Sequence, residues 1–205
     1  MKVKTETFTD PRDGKVYKTV KIGEQVWMAE NLNFDCEGSW CYAEKYGRLY
    51  DWETAMKVCP PGWHLPSIEE WDELVNFAGG EDALRAKSGW SDYQGKSGNG
   101  IDAYGFSALP GGLGSNAMPD GPFHCVGGSG NWWSANEYDS DYAYDQIMGD
   151  YDHIYSEFGR RGFGRGYSNK SNLNSVRLGM YALSFIMGFS GKHHLYSVRC
   201  VKDKA

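Results

Sequence analysis

Cys59-Pro60-Pro61-Gly62-Trp63-His64-Leu65-Pro66-Ser67-Ile68-Glu69-Glu70-Trp71 runs from a cysteine, through a proline-rich turn, into the best-marked helix start of the chain. Ser67 offers a side-chain oxygen to the orphan N–H groups of a first turn, and Glu70, three residues on, completes a capping box. Ile68, Trp71, Leu74, Val75 and Ala78 then form one apolar stripe at helical spacing, and Gly79-Gly80 supplies a stop. A second cysteine segment, Tyr196-Ser197-Val198-Arg199-Cys200-Val201-Lys202-Asp203, reads as a final strand. A bond between Cys59 and Cys200 would close a loop of about 140 residues, worth about 4–5 kcal/mol on the chain-entropy account.

Upstream, Tyr17-Lys18-Thr19-Val20-Lys21-Ile22 alternates as a half-buried strand does, Gly23-Glu24 turns it, and Gln25-Val26-Trp27-Met28-Ala29 returns, which predicts a hairpin. Asn31 to Tyr46 is irregular. Asp51 to Val58 reads as a helix, and a short helix is expected from Asp82 to Lys87. Gly89 to Gly130 is a long glycine-rich stretch, and strand signals resume at Asn131-Trp132-Trp133-Ser134. The C-terminal third repeats a pattern. Gly166 to Arg177 and Gly188 to Arg199 share G-[YF]-S-x-K-x-x-L-x-S-V-R. Upstream of each copy, Tyr142-Ala143 with Ile147-Met148-Gly149 matches Tyr181-Ala182 with Ile186-Met187-Gly188. This echo reads as similar hairpins in one antiparallel sheet.

With 205 residues the chain suffices for one substantial core. A net charge of −6 and a pI near 5.4 argue against nucleic acid or an anionic membrane as the main partner. No apolar run is long enough to span a bilayer as a helix. Aromatics reach 15%, including 8 Trp and 14 Tyr, which fits a loop-rich fold with Trp in the core and many Tyr on the surface. The five cysteines show no zinc-knuckle spacing. Cys36 and Cys41 are near enough in sequence to clip a small loop, and Cys125 is expected to be an unbridged, buried thiol. Disulfides imply an oxidising compartment. The start Met1-Lys2-Val3-Lys4-Thr5 has no apolar signal segment, so a removed signal is the favoured expectation over a reduced cytosolic protein.

Asp13-Gly14 with Tyr17, Val20 to Leu32, Tyr46-Gly47-Arg48-Leu49-Tyr50, Cys59 to Trp71, Asp102 to Gly112, Trp132-Trp133-Ser134 and Ser197 to Cys200 together resemble the Fibrobacter succinogenes major paralogous domain, from about residue 9 to 203. The resemblance implies one α+β domain over 1–205. Its expected fold is C-type-lectin-like and related to formylglycine-generating enzymes, with two main helices packed on twisted antiparallel β-sheets and long ordered loops. It implies pairing of Cys59 with Cys200 and a place on secreted or surface-anchored bacterial proteins, often lipoproteins. Residues 150–188 exceed what the family leads one to expect, so an insertion or duplication is expected there.

Several local patterns compete for a functional reading. Gly95-Lys96-Ser97 ends like a phosphate loop, but Trp90 stands where its first glycine belongs. Gly159 to Gly166 is an RGG-like run, expected to be a surface hairpin in so acidic a chain. Calcium takes roughly 6–8 oxygen ligands, and Asp139, Asp141 and Asp145 are the residues it would use here; a solvated acidic loop is the commoner outcome. His64 reads as a packed, hydrogen-bonded histidine. His193 and His194, on a strand, would face opposite ways. The oxidase relatives need a reactive cysteine pair; with Cys200 bridged only Cys125 remains, which weighs against that chemistry.

The expected function is therefore a non-enzymatic secreted or cell-surface binding and adhesion module for a polysaccharide or a surface protein. Tyr138, Tyr142, Tyr151, Tyr155, Arg161, Phe163 and Tyr167 are the candidate contacts, since aromatic faces stack on sugar rings. No cofactor is expected beyond the calcium option, and no nucleic acid. The alternatives are a self-associating structural component of a bacterial surface, and an oxidase of the formylglycine type.

Overall fold

In the computed structural model, residues 4–92, 95–115, 123–149 and 186–204 are described. The N-terminal alternation builds β1 (Thr5–Thr9), β2 (Val16–Ile22) and β3 (Gln25–Met28). Ile22 pairs with Gln25 across the two-residue turn at Gly23-Glu24, as the sequence predicts. Next come β4 (Ser39–Trp40), β5 (Leu49–Tyr50), α1 (Trp52–Val58), β6 (Trp63–His64) and α2 (Ile68–Ala78). After a long loop follow β7 (Leu113–Gly114), β8 (Phe123–His124), β9 (Ser129–Glu137), β10 (Tyr142–Gly149), β11 (Ile186–Gly191), β12 (Tyr196–Ser197) and β13 (Val201–Lys202).

The strands form a five-stranded sheet ordered β1-β2-β3-β13-β6, a six-stranded sheet ordered β11-β10-β9-β12-β5-β4, and the small β7-β8 pair. Val201 of β13 faces Trp27 on one side and His64 on the other. The last strand thus lies between the opening hairpin and the segment leading into α2. Cys200 is thereby brought to Cys59, and the two are bonded, with their Cα atoms 6.1 Å apart. The six-stranded sheet is mixed, because β12 runs parallel to β9 at Ser197 and Trp132 while its other pairs are antiparallel. Strands β10 and β11, from the two copies of the upstream echo, pair with Ile147 opposite Ile186.

Successive residues of a strand face opposite sides, and β9 uses this to serve two cores. Trp133 packs with Tyr50, Trp52, Val58 and Tyr196, whereas Trp132 packs with Trp27, Trp71, Phe106 and Met148. In the second cluster Trp71 lies 4.9 Å from Trp27 and 6.2 Å from Trp132, ring centre to ring centre. Indole N–H groups are satisfied at depth: Trp52 donates to the Ser134 carbonyl, Trp133 to that of Tyr50 and Trp90 to that of Ala108. Seven of the eight Trp are buried, as expected, while Tyr42, Tyr138 and Tyr142 are exposed.

The architecture departs from the expected C-type-lectin-like plan. The described residues are mainly β, with two short helices that do not form a layer on a sheet. Both helices are stopped early. Cys59-Pro60-Pro61 ends α1, since proline carries no N–H and restricts the residue before it. Gly79, at φ 79°, ends α2, and the predicted capping box on Ser67 and Glu70 is present at its start. The helix expected over 82–87 is only a 3-10 turn, Glu81–Ala83. Its carbonyls are taken by the loop opposite: Ile101, Ala103 and Ala108 donate to Asp82, Ala83 and Leu84 at 2.8, 2.8 and 2.9 Å. No helix among the described residues is long and apolar enough to cross a membrane.

Candidate functional site

After β3 the chain continues beside the last strand. The Met28 N–H donates to the Cys200 carbonyl at 3.0 Å and the Leu32 N–H to that of Val198 at 2.8 Å. Asn31 is thereby set against Arg199. Asn31 Oδ1 accepts from Arg199 Nε at 3.0 Å, from Arg199 Nη2 at 2.7 Å and from Trp132 Nε1 at 2.9 Å. Its Nδ2 donates to the Tyr46 carbonyl at 2.9 Å and to Ser197 Oγ at 3.2 Å. One amide side chain therefore joins four segments of the fold.

Arg199 is fully buried. Its Nη1 donates to the Phe106 carbonyl, and its guanidinium lies 4.4 Å from the Phe106 ring centre and 5.9 Å from that of Trp132. Among the described residues it pairs with no carboxylate. Burial pulls its pKa down to about 9, with Glu30 and Asp102 opposing from farther off.

The Phe106 carbonyl is presented by a bent loop. Asp102 and Ser107 have φ values of 44° and 52°, a region that non-glycine residues occupy at a cost of about 1–3 kcal/mol. The Asp102 carboxylate offsets part of this by accepting from Ser107 N at 2.8 Å and Ser107 Oγ at 2.6 Å.

Between this loop, β2 and the segment after β3 lies a cleft of about 530 Å³. Lys15, Lys18, Glu30, Asn33, Lys45 and Ser107 line it with Tyr17, Gly47, Leu109 and Arg199. Lys15 donates to the Asn33 carbonyl and lies 3.5 Å from Asp13. Lys18 donates its N–H to Glu30 at 2.7 Å, with its ammonium 3.9 Å from the same carboxylate. Lys45 sits over the Tyr46 ring at 4.7 Å. Burial pushes the Tyr17 phenol up to about 12, so it is neutral at physiological pH and accepts from the Asn33 N–H at 3.1 Å. The wall thus holds ammonium, carboxylate, amide and hydroxyl groups on a backbone tied from several sides.

Of the residues singled out from sequence, Tyr138 and Tyr142 are described and do not line this cleft. Tyr138 and Tyr142 flank the β9–β10 turn, where the Tyr138 N–H donates to the Tyr142 carbonyl at 3.0 Å and the Tyr138 ring meets Tyr144 edge-on at 5.4 Å. Tyr151, Tyr155, Arg161, Phe163 and Tyr167 lie outside the described residues. Among the described residues no group of three His, Cys, Asp or Glu side chains is gathered closely enough to hold a metal ion. Asp139 is occupied by the backbone N–H groups of Asp141 and Tyr142, both at 2.9 Å. Strand alternation carries Asp145 into the interior, where burial raises its carboxyl to about 7 against the Ser190 hydroxyl.

Cys36 and Cys41 remain separate thiols rather than a clip. Cys36 packs against the first core cluster, whereas Cys41 follows β4 into solvent. Cys125 is a buried thiol outside any disulfide. His64 is hydrogen-bonded on both ring nitrogens, to Asp203 at 2.6 Å and Glu70 at 3.0 Å. His193 and His194 sit in a turn rather than a strand, so their rings lie side by side, 4.6 Å apart.

The cleft and its network were not found from sequence. The available signal was Arg199 itself, a charge flanked by Val198 and Cys200 in the fully buried link between β12 and β13. The segments that carry the family resemblance meet here: Tyr17, Glu30-Asn31, Gly47, Gly105, Ser107, Leu109 and Arg199 all line one cleft. No curated protein and no solved structure matches the chain. A family model, the Fibrobacter succinogenes major domain, matches residues 20–202, and the chain belongs to that family.

Proposed function

We propose that this domain is a non-enzymatic binding module of the bacterial exterior, secreted or held at the outer surface as on a lipoprotein, and that it recognises polysaccharide. The cleft beside residues 105–109 carries this reading. Its volume falls in the range of small-molecule sites, about 300–1,000 Å³. Lys18, Glu30 and Ser107 are donors and acceptors of the kind that sugar hydroxyls satisfy, and the Asn31–Arg199–Trp132 network beneath gives them a rigid base. The Cys59–Cys200 bond supports an oxidising compartment. Tyr138 and Tyr142 offer a further surface on which sugar rings would stack.

A second reading, assembly through protein contacts, is favoured by β1, an edge strand paired only with β2 and largely exposed. Such an edge can accept another chain's strand.

A pull-down on insoluble cellulose, xylan and pectin with a soluble glycan panel, run with calcium and with EDTA, tests the first reading. Saturable binding that is lost on Ser107→Ala with Glu30→Ala supports the cleft, and the EDTA lane reports any calcium dependence. Binding to none of the glycans, together with concentration-dependent self-association in sedimentation, would move the function to assembly.

A further inference from the structure

A buried cation needs compensation, because removing a guanidinium from water costs several kcal/mol unless charge or hydrogen bonds replace the solvent. Arg199 obtains neutral acceptors and aromatic faces, and the nearby carboxylates are otherwise engaged: Asp102 by Ser107, Glu30 by Lys18. Above it the cleft adds Lys15, Lys18 and Lys45. Four cations therefore line a space with two carboxylates, Glu30 and Glu44, and with Asp13 beside Lys15 one positive charge remains over, on a chain whose net charge is −6. Lys45 rests on the Tyr46 ring, an arrangement that leaves its ammonium available to an anion.

From this charge balance we infer that the cleft takes an acidic saccharide, with a uronate carboxylate drawn to Lys18 and Lys45 above the buried Arg199. The inference rests on the cleft being the saccharide site. The carboxylate would complete the compensation that the fold leaves open, and Glu30 and Ser107 would meet the ring hydroxyls. Lys18 is largely exposed, so its contribution is one of attraction and orientation, and it weakens with salt.

The test is calorimetric titration of the whole domain with oligogalacturonate, with its methyl ester, with neutral xylo-oligosaccharide and with inorganic phosphate. Oligogalacturonate is expected to bind saturably, and the methyl ester about tenfold more weakly. Lys18→Ala with Lys45→Ala should weaken the acid by about five- to tenfold at unchanged melting temperature, while Lys57→Ala, outside the cleft, changes nothing. Ester or xylo-oligosaccharide binding as well as the acid would overturn the inference and leave the cleft as a neutral-sugar site. Acid binding indifferent to Lys18 and Lys45 would overturn it by placing the site elsewhere. Phosphate binding as tightly as the acid would show a plain anion site. Failure of every saccharide would remove the polysaccharide reading as well.

Discussion

Asn31 and Arg199, 168 residues apart in sequence, share one oxygen: Asn31 Oδ1 takes both Nε and Nη2 of the guanidinium and the Trp132 indole N–H besides. The link between β12 and β13, the segment after β3 and the long strand β9 are locked together at that atom. Asn31→Ala should leave two guanidinium nitrogens and an indole N–H without their acceptor and cost about 3 kcal/mol or more. Asn31→Asp, which keeps an acceptor and loses two donors, should cost less. Urea unfolding of both variants checks the order.

The Cys59–Cys200 bond spans 141 residues. On the chain-entropy account a loop of that size contributes about 5 kcal/mol. Reduction with dithiothreitol should therefore lower the denaturant midpoint sharply, and alkylation of the reduced protein should fix it there. Cys36→Ser with Cys41→Ser should leave the oxidised midpoint near that of the parent, since neither thiol is bridged.

His64 ties the C-terminal tail to the start of α2. Burial opposes its proton, but hydrogen bonds to Asp203 and Glu70 outweigh this, so its pKa is raised from the ordinary value. A raised folded pKa means stability that is fully present below the unfolded value, about 6.5, and lost as pH rises through the folded one. The free energy of unfolding measured across that window should fall as pH rises in the parent and be flatter in His64→Gln.

Two glycines separate backbone cost from steric cost. Gly79 has φ 79° and open space where a Cβ would stand, so Gly79→Ala should cost about 1 kcal/mol. At Gly47, with φ 75°, a Cβ would lie 2.8 Å from the Leu32 carbonyl oxygen and 2.9 Å from Asn31 Cβ. Gly47→Ala should cost clearly more and distort the cleft wall, which thermal unfolding with saccharide titration would report.

What the sequence made legible was local. The β2–β3 hairpin, the Ser67–Glu70 box and the Gly79 stop each depend on residues within a few positions of one another, and all three are present. The place of the helices in the fold was not local. Their lengths follow from Pro60 and Gly79, but that they would not form a layer depends on how β9 divides Trp132 and Trp133 between two cores. The shortened helix at Glu81–Ala83 was invisible for the same reason, because its competitor for hydrogen bonds lies some twenty residues downstream. The cleft is the extreme case: its walls come from six separated segments, and no periodicity connects Lys18 to Ser107 or Asn31 to Arg199. Residue type alone does not say which side chains meet.

The central claim is that the cleft is where saccharide binds. Amide chemical-shift mapping during separate titrations with oligogalacturonate and xylo-oligosaccharide tests it most directly. The account predicts saturable shifts at residues 15–18, 29–33, 44–47 and 105–109, the cleft walls. Shifts confined to residues 138–144, or none at saturating saccharide, would contradict it.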